Sequence, residues 1–229
     1  PDEIPVVLIK LAAKYKSGEI KPEEGSFTDF AWVNENEIQD YDRIDGIELE
    51  IKKTIEIFSR INVLLQQRRG ELVNALISET GKSKKGAHDE IEKAIETFKA
   101  IQYEKYQAVG DTLPSQDNDA LVFTTRYPVG VTVVITPWNF PVYIGAQHLA
   151  PALMGRNTVI LKCSPHTPIS SSKLVEILLE SGLPPEMISL IHGTRAEVVD
   201  ALVSDKGVDM VSFTGSSEVA KEIAIKRGG

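Results

Sequence analysis

Between residues 47 and 109, apolar positions recur at helical spacing. Ile51, Ile55, Phe58 and Leu65 share one face, with Lys52, Lys53, Glu56 and Arg60 between them. A second helix is expected over Glu71 to Ser78, ending at Gly81. A third runs from about His88 through Ile91, Ile95, Phe98 and Ile101 to Ala108. The carboxylates interleaved here, Glu90 and Glu92 among them, read most simply as a solvated face. After Gly130 the pattern changes. Val131, Val133, Val134 and Ile135 form a short, almost purely apolar run of β-branched residues, the mark of a strand buried on both faces. Pro137 lacks a backbone donor and ends the strand.

Strands and helices then alternate. The first strand is 131 to 136, followed by a helix from about Tyr143 to Met154, kinked at Pro151 and stopped by Gly155. The second strand is Thr158 to Lys162. The helix after it has Thr167 as N-cap and Pro168 at its first position, and ends at Gly182. A third strand is expected at about Ile188 to Ile191 and a helix at about Ala196 to Val203. The fourth strand, Asp209 to Phe213, leads into Thr214-Gly215-Ser216 and a last helix to about Lys226. This order implies βαβ units with right-handed crossovers. The fold class is α/β: an open parallel twisted sheet with flanking helices, Rossmann-like, preceded by a helical segment.

The flanking stretches are less regular. Ile4 to Ala13 reads as a short helix, Lys21 to Gly25 as a turn, and Phe27 to Gly46 as an irregular surface stretch with one strand. Residues 1–46 therefore stand apart from a domain over 47–229, made of a helical lead-in (47–109) and a βαβ sheet (130–229). Asp111 to Asp119 is a turn-rich connection, and Leu121 to Arg126 reads as a strand outside the main sheet.

Composition narrows the function classes. With 229 residues, 42% hydrophobic and 25% charged, the chain fits an ordinary globular protein. A net charge of −8 argues against a nucleic-acid partner. No apolar run approaches the ~18 residues of a membrane helix, and no secretory leader is recognisable, so a cytoplasmic protein without a membrane partner is expected. One cysteine, Cys163, rules out an internal disulfide. The four histidines show no metal spacing, so no metal site is expected. Gly81-Lys82-Ser83 resembles the end of a phosphate loop, but the motif needs glycine at position 76, where Leu76 stands on a helix. Gly81 is better explained as a helix stop.

All strand carboxyl ends of a parallel sheet lie on one edge, where ligands bind. The residues just past each strand are Thr136-Pro137-Trp138-Asn139, Lys162-Cys163-Ser164, His192-Gly193-Thr194-Arg195 and Thr214-Gly215-Ser216. A lysine donates to ribose hydroxyls or phosphate, glycines permit close backbone approach, and a helix start after Gly215 presents free N–H groups. Gly-x-Gly-x-x-Gly is absent. Periodicity alone leaves a nucleotide site and a plain α/β domain equally open.

Ile-Thr-Pro-Trp-Asn-Phe-Pro at 135–141 resembles the signature of the NAD(P)-dependent aldehyde dehydrogenase superfamily. Gly-Arg-Asn-Thr-Val-Ile-Leu-Lys at 155–162 resembles its second cofactor strand, and Val-Ser-Phe-Thr-Gly-Ser-Ser-Glu-Val at 211–219 its phosphate-proximal turn. Glu79-Thr80-Gly81-Lys82 and Arg126-Tyr127-Pro128-Val129-Gly130 match in order and spacing. The resemblance covers 70–226. It implies oxidation of a small-molecule aldehyde to a carboxylate, through a cysteine thiohemiacetal, with NADP or NAD. By that resemblance Asn139 is the catalytic oxyanion donor. Thr136, Pro137, Trp138, Lys162, Ser164, Gly193, Phe213, Thr214, Gly215 and Ser216 form the cofactor site.

Departures qualify this. Where the family often has Lys-Pro-x-Glu, with the Glu on the ribose of NAD, this chain has Lys162-Cys163-Ser164-Pro165. Without that carboxylate a 2′-phosphate is not repelled, so NADP is expected to be tolerated and preferred. Glu197 and Ala220 stand where the family has glycine. The family's cysteine and general-base glutamate lie beyond the segment matching 208–226. The resemblance thus assigns the chain to the cofactor-binding half, truncated before the catalytic domain and inactive alone. Cys163 follows the cofactor lysine and reads as a small buried residue. Two alternatives stay open: a non-catalytic nucleotide-binding fragment, and an acyl-CoA-forming member of the superfamily. The expected protein partner is a second copy of the chain or a separate catalytic half.

Overall fold

The computed structural model describes residues 45–103, 112–113, 122–123, 128–194 and 198–228. The expectations for residues 1–44, Gln107–Ala108, Glu197 and the start of the 196–203 helix lie outside them. The chain divides into two units, one of residues 1–52 with 110–125, the other of residues 53–109 with 126–229. In the first unit the described residues are the opening turns of α1 and an antiparallel pair. That pair joins β1 (Thr112–Leu113) to β2 (Val122–Phe123), apart from the main sheet. The strand expected at 121–126 is thus present as two described residues. The connection before it, read as turns alone, also contributes a strand.

The second unit begins with the rest of α1 (Asp45–Gln67 in full), followed by α2 (Arg69–Thr80) and α3 (Lys84–Tyr103). Gly81, at φ 69°, closes α2 by donating its N–H to Ile77 O at 3.0 Å. The left-handed conformation suits glycine, so the helix-stop reading of Gly81 holds. Helix α3 starts earlier than expected because Ser83 acts as its cap: Ser83 Oγ accepts from Gly86 N at 3.1 Å.

The sheet is parallel, in the order β5-β4-β3-β6, with β3 Val131–Ile135, β4 Thr158–Lys162, β5 Ile188–Ile191 and β6 Met210–Phe213. Helices α4 (Pro141–Met154), α5 (Pro168–Glu180), α6 (Asp200–Ser204) and α7 (Ser217–Lys226) connect and follow the strands. Alternate strand residues serve two cores. Val134, Val159 and Leu161 pack with α1–α5, while Val133, Ile135, Val203, Val208 and Ile223 form a second cluster with α6 and α7. Burial on both faces accounts for the unbroken apolar run of β3.

Helix α4 begins at Pro141, two residues before the expected start, since proline at N1 needs no donor. It stops at Gly155 as expected; the left-handed residue is the next one, Arg156 (φ 61°), and Asn157 N–H reaches back to Ala152 O at 3.0 Å. Helix α5 is held at both ends by the helical layer. The Glu79 carboxylate accepts from Ile169 N and Ser170 N, and Arg60 Nε donates to Ser181 O at 2.6 Å. An anion at the amino end and a cation at the carboxyl end complement the helix dipole. Thr167, the expected side-chain cap, makes no capping bond; Glu79 has taken its place.

Arg68 joins α2 to α5, pairing with Glu71 at 2.9 Å, Glu176 at 3.1 Å and Glu180 at 2.9 Å, and Lys173 adds a second cation on Glu71. Hydrogen bonds from Arg68, then from Lys173, lower the Glu71 carboxyl to about 2. The unfolded value is ~4.3. A depressed folded value stabilises above the unfolded pKa, and the contribution fades as pH falls from there through about 2. Comparing melting of wild type with Glu71→Gln at pH 6 and pH 2.5 is expected to show a gap that narrows at the lower pH. The cluster is solvent-exposed, so the gap should be small and shrink in salt. A gap independent of pH would contradict the assignment.

Candidate cofactor-binding edge

Register fixes the site. Ile191, Lys162, Ile135 and Phe213 are successive partners across the four strands, so the residues after them leave the sheet side by side. Connectivity reverses direction at β3: β4 and β5 extend to one side, and β6 returns to the other. A crevice at the carboxyl end of such a switch point is where open α/β sheets bind ligands. The Trp138-Asn139 loop stands there.

Thr136 is buried and donates its N–H to Lys162 O at 3.3 Å, continuing the ladder one residue past the strand. Pro137 is half-buried. Trp138 is 53% exposed, and Phe140 beside it 37%. Core filling therefore does not account for Trp138. Asn139 is exposed, and among the described residues its amide makes no hydrogen bond.

Lys162 is 4% exposed at the end of β4, and its Nζ has no hydrogen-bond or ion-pair partner among the described residues. Burial lowers its pKa, an effect the neighbouring Cys163 opposes. The stem is enclosed and only its tip remains open, where an anionic or hydroxyl-rich ligand can meet the charge. Ser164 is buried in the turn that follows, its Oγ accepting from His166 N at 3.3 Å. Cys163 is fully buried with Sγ 3.3 Å from His192 Nδ1, and burial pushes its thiol pKa up. That is the opposite of an activated nucleophile. The reading of Cys163 as a buried packing residue stands.

On the far side Gly193 adopts φ 143°. Phe213 folds its ring over Gly215, where an added Cβ would lie 2.3 Å from the ring's Cζ. A side chain at 215 would therefore displace the Phe213 ring. Ser216 caps α7, its Oγ accepting from Val219 N at 3.4 Å, and the helix start opens on the same edge. Thr214 Oγ1 is occupied: His148 Nε2 meets it at 2.7 Å while Nδ1 meets Ser212 Oγ at 2.6 Å. Burial lowers the His148 pKa, so the ring is neutral near pH 7. It ties α4 to β6 just before the Gly215 turn. All the expected cofactor residues therefore meet on one edge.

Two polar groups behind the edge were not expected. Glu90, read as part of a solvated face, is 1% exposed and joins α3 to α4. The correction was available from periodicity: Ala87, Ile91, Ala94, Ile95 and Phe98 are buried, and position 90 falls on that same stripe. Its partner Lys82 sits just past the Gly81 stop. The second missed group is His148, which borders the buried stripe of α4 and has no sequence signature of its own. Among the described residues no cluster suits a metal ion, and no helix is long and apolar enough to cross a membrane.

Comparison with known proteins agrees with this fold. The model of the aldehyde dehydrogenase family matches residues 47–229. The 2,5-dioxopentanoate dehydrogenase of Saccharolobus solfataricus is 39% identical over 167 residues, covering 73% of this chain and 35% of that protein. The D-glyceraldehyde dehydrogenase (NADP(+)) of Picrophilus torridus is 35% identical over 163 residues, covering 71% and 33%. The crystal structure of glyceraldehyde-3-phosphate dehydrogenase from Methanocaldococcus jannaschii complexed with NADP superposes with a TM-score of 0.73 at 33% identity, over 78% of this chain and 40% of that one. The chain spans about a third of the length of the curated relatives it matches. On the family match and the shared fold, this chain belongs to the aldehyde dehydrogenase family.

Proposed function

We propose that the chain supplies the cofactor site and oxyanion donor of an enzyme that oxidises an aldehyde to a carboxylate with NADP or NAD. The observation that carries the reading is the register that sets Lys162, its stem enclosed and its Nζ unpartnered among the described residues, on the switch-point edge with Thr136, Gly193 and Gly215. The residues fit a dinucleotide. Lys162 and Ser164 would hold the adenosine ribose, Gly215 and Ser216 the pyrophosphate. Thr136, Pro137 and Trp138 would line the cofactor, with Gly193, Phe213 and Thr214 shaping its seat. When bound, NADP accepts the hydride. Asn139 donates its amide to the oxyanion formed as a cysteine thiolate attacks the carbonyl.

That cysteine is not Cys163, which is enclosed and has a raised pKa. We place the nucleophile and general base outside these 229 residues, in a catalytic part that also completes the aldehyde pocket. The domain over 47–229 is then the cofactor half, and a soluble cytoplasmic enzyme is the matching setting. A non-catalytic nucleotide-binding role is the second reading, favoured by the buried state of Cys163. Aldehyde-dependent NADPH formation by an assembly containing this chain separates the two.

NADP is the expected cofactor because position 165, an exposed proline, offers no carboxylate to a 2′-phosphate. Calorimetric titration is expected to give tighter binding of NADP than NAD, and Pro165→Glu to weaken NADP roughly tenfold by like-charge repulsion. Binding of NAD more than tenfold tighter than NADP by the wild-type chain would overturn the preference.

A further inference from the structure

The side chain of Glu90 is fully enclosed in the middle of α3, where its helical stripe is otherwise apolar. One carboxylate oxygen accepts from Val142 N at 2.9 Å and Tyr143 N at 3.3 Å, the first turn of α4. The other pairs with Lys82 Nζ. The same ammonium stands 3.8 Å from the centroid of the Phe140 ring. A helix start has no internal partner for its first N–H groups, and Phe140, at the N-cap position of α4, has no side-chain acceptor to offer. Glu90 supplies that acceptor from another helix.

A buried carboxylate and ammonium are a poor choice for stability alone, since apolar residues of similar volume would cost less desolvation. What the pair achieves is geometry. Residues 136–140 leave β3 held by the Thr136–Lys162 ladder bond. They arrive at α4 held by Glu90 on Val142 and Tyr143 and by Lys82 on Phe140. Trp138 and Asn139 lie between these two anchors, exposed and without side-chain hydrogen bonds among the described residues.

We propose that Glu90 and Lys82 are positioning residues that set the Trp138-Asn139 loop from behind, linking the helical layer to the cofactor edge. The functional consequence rests on the reading of Asn139 as oxyanion donor; the tether itself does not. Glu90→Gln keeps one acceptor for α4 but turns an amide N–H₂ toward Lys82. Lys82→Met keeps the stem against Phe140 and removes the charge. Lys82→Arg restores a cation.

Hydrogen exchange of the 229-residue chain without cofactor tests this. Glu90→Gln is expected to speed exchange in the segment 138–146 at least tenfold, with segments from β4 and α5 changed less than twofold. Lys82→Met should act in the same place more weakly, and Lys82→Arg should return the segment to near the wild-type rate. Unchanged exchange at 138–146 in both Glu90→Gln and Lys82→Met would overturn the proposal, as would an equal rise in every segment. If Glu90→Gln does not fold, Lys82→Met decides, because its side chain is partly exposed and its loss leaves no cavity. Failure of NADP to bind would count against the site reading alone, while the exchange pattern still decides the tether.

Discussion

Asn139→Ala is expected to slow aldehyde oxidation by ~10²–10³-fold while leaving stability almost untouched. The measurement is kcat in an assembly that includes the nucleophile, beside a melting curve of the same variant. The stability half comes from one observation, that Asn139 is exposed and its amide bonds to no described residue, and the rate half from the oxyanion role proposed for it. A side chain with no structural partner has little to lose on truncation. A neutral amide aimed where negative charge develops contributes only once that charge forms, so the loss should fall on kcat more than on KM. Equal losses in rate and stability would assign Asn139 to the loop's architecture instead.

Phe98→Ala is expected to destabilise the fold by ~3–5 kcal/mol, lowering the melting temperature by about 10 °C. Phe98 is fully buried, and its ring meets Phe58 edge-on with centroids 5.6 Å apart at 69°. Phe58 lies on α1 and Phe98 on α3, so the pair joins two helices of the layer behind α4. Truncation forfeits the transfer free energy of the ring, leaves a cavity, and breaks an edge-to-face contact worth ~1 kcal/mol more. A loss below about 1 kcal/mol in a denaturant titration would mean the layer collapses into the space.

The sheet was legible because its signals are local. β4 and β5 are bounded as expected, since Thr158–Lys162 and Ile188–Ile191 are short apolar runs between polar and turn-forming residues. The edge constellation followed from topology alone: in a parallel sheet, whatever trails each strand gathers on one side. The tertiary polar links were not legible. Glu79, Glu90 and Arg60 each serve the end of a helix far away in sequence, and helix periodicity does not say which charged residue will do so. Glu90 shows the difference between signal and interpretation. Its place on the buried stripe was visible, but a carboxylate there looks like an error until Val142 and Lys82 appear beside it. His148 is similar: only the approach of Ser212 and Thr214 across the sheet gives it a role.

On the proposed reading, the carboxyl edge of the sheet is a dinucleotide site assembled within this chain. Titrating NADP into the isotope-labelled 229-residue chain and following backbone amide shifts tests it most directly. Saturable shifts are expected at Thr136, Trp138, Lys162, Ser164, Gly193, Gly215 and Ser216, with the outer faces of α1 and α2 silent. Shifts confined to those helices, or none in a chain that is folded, would contradict it.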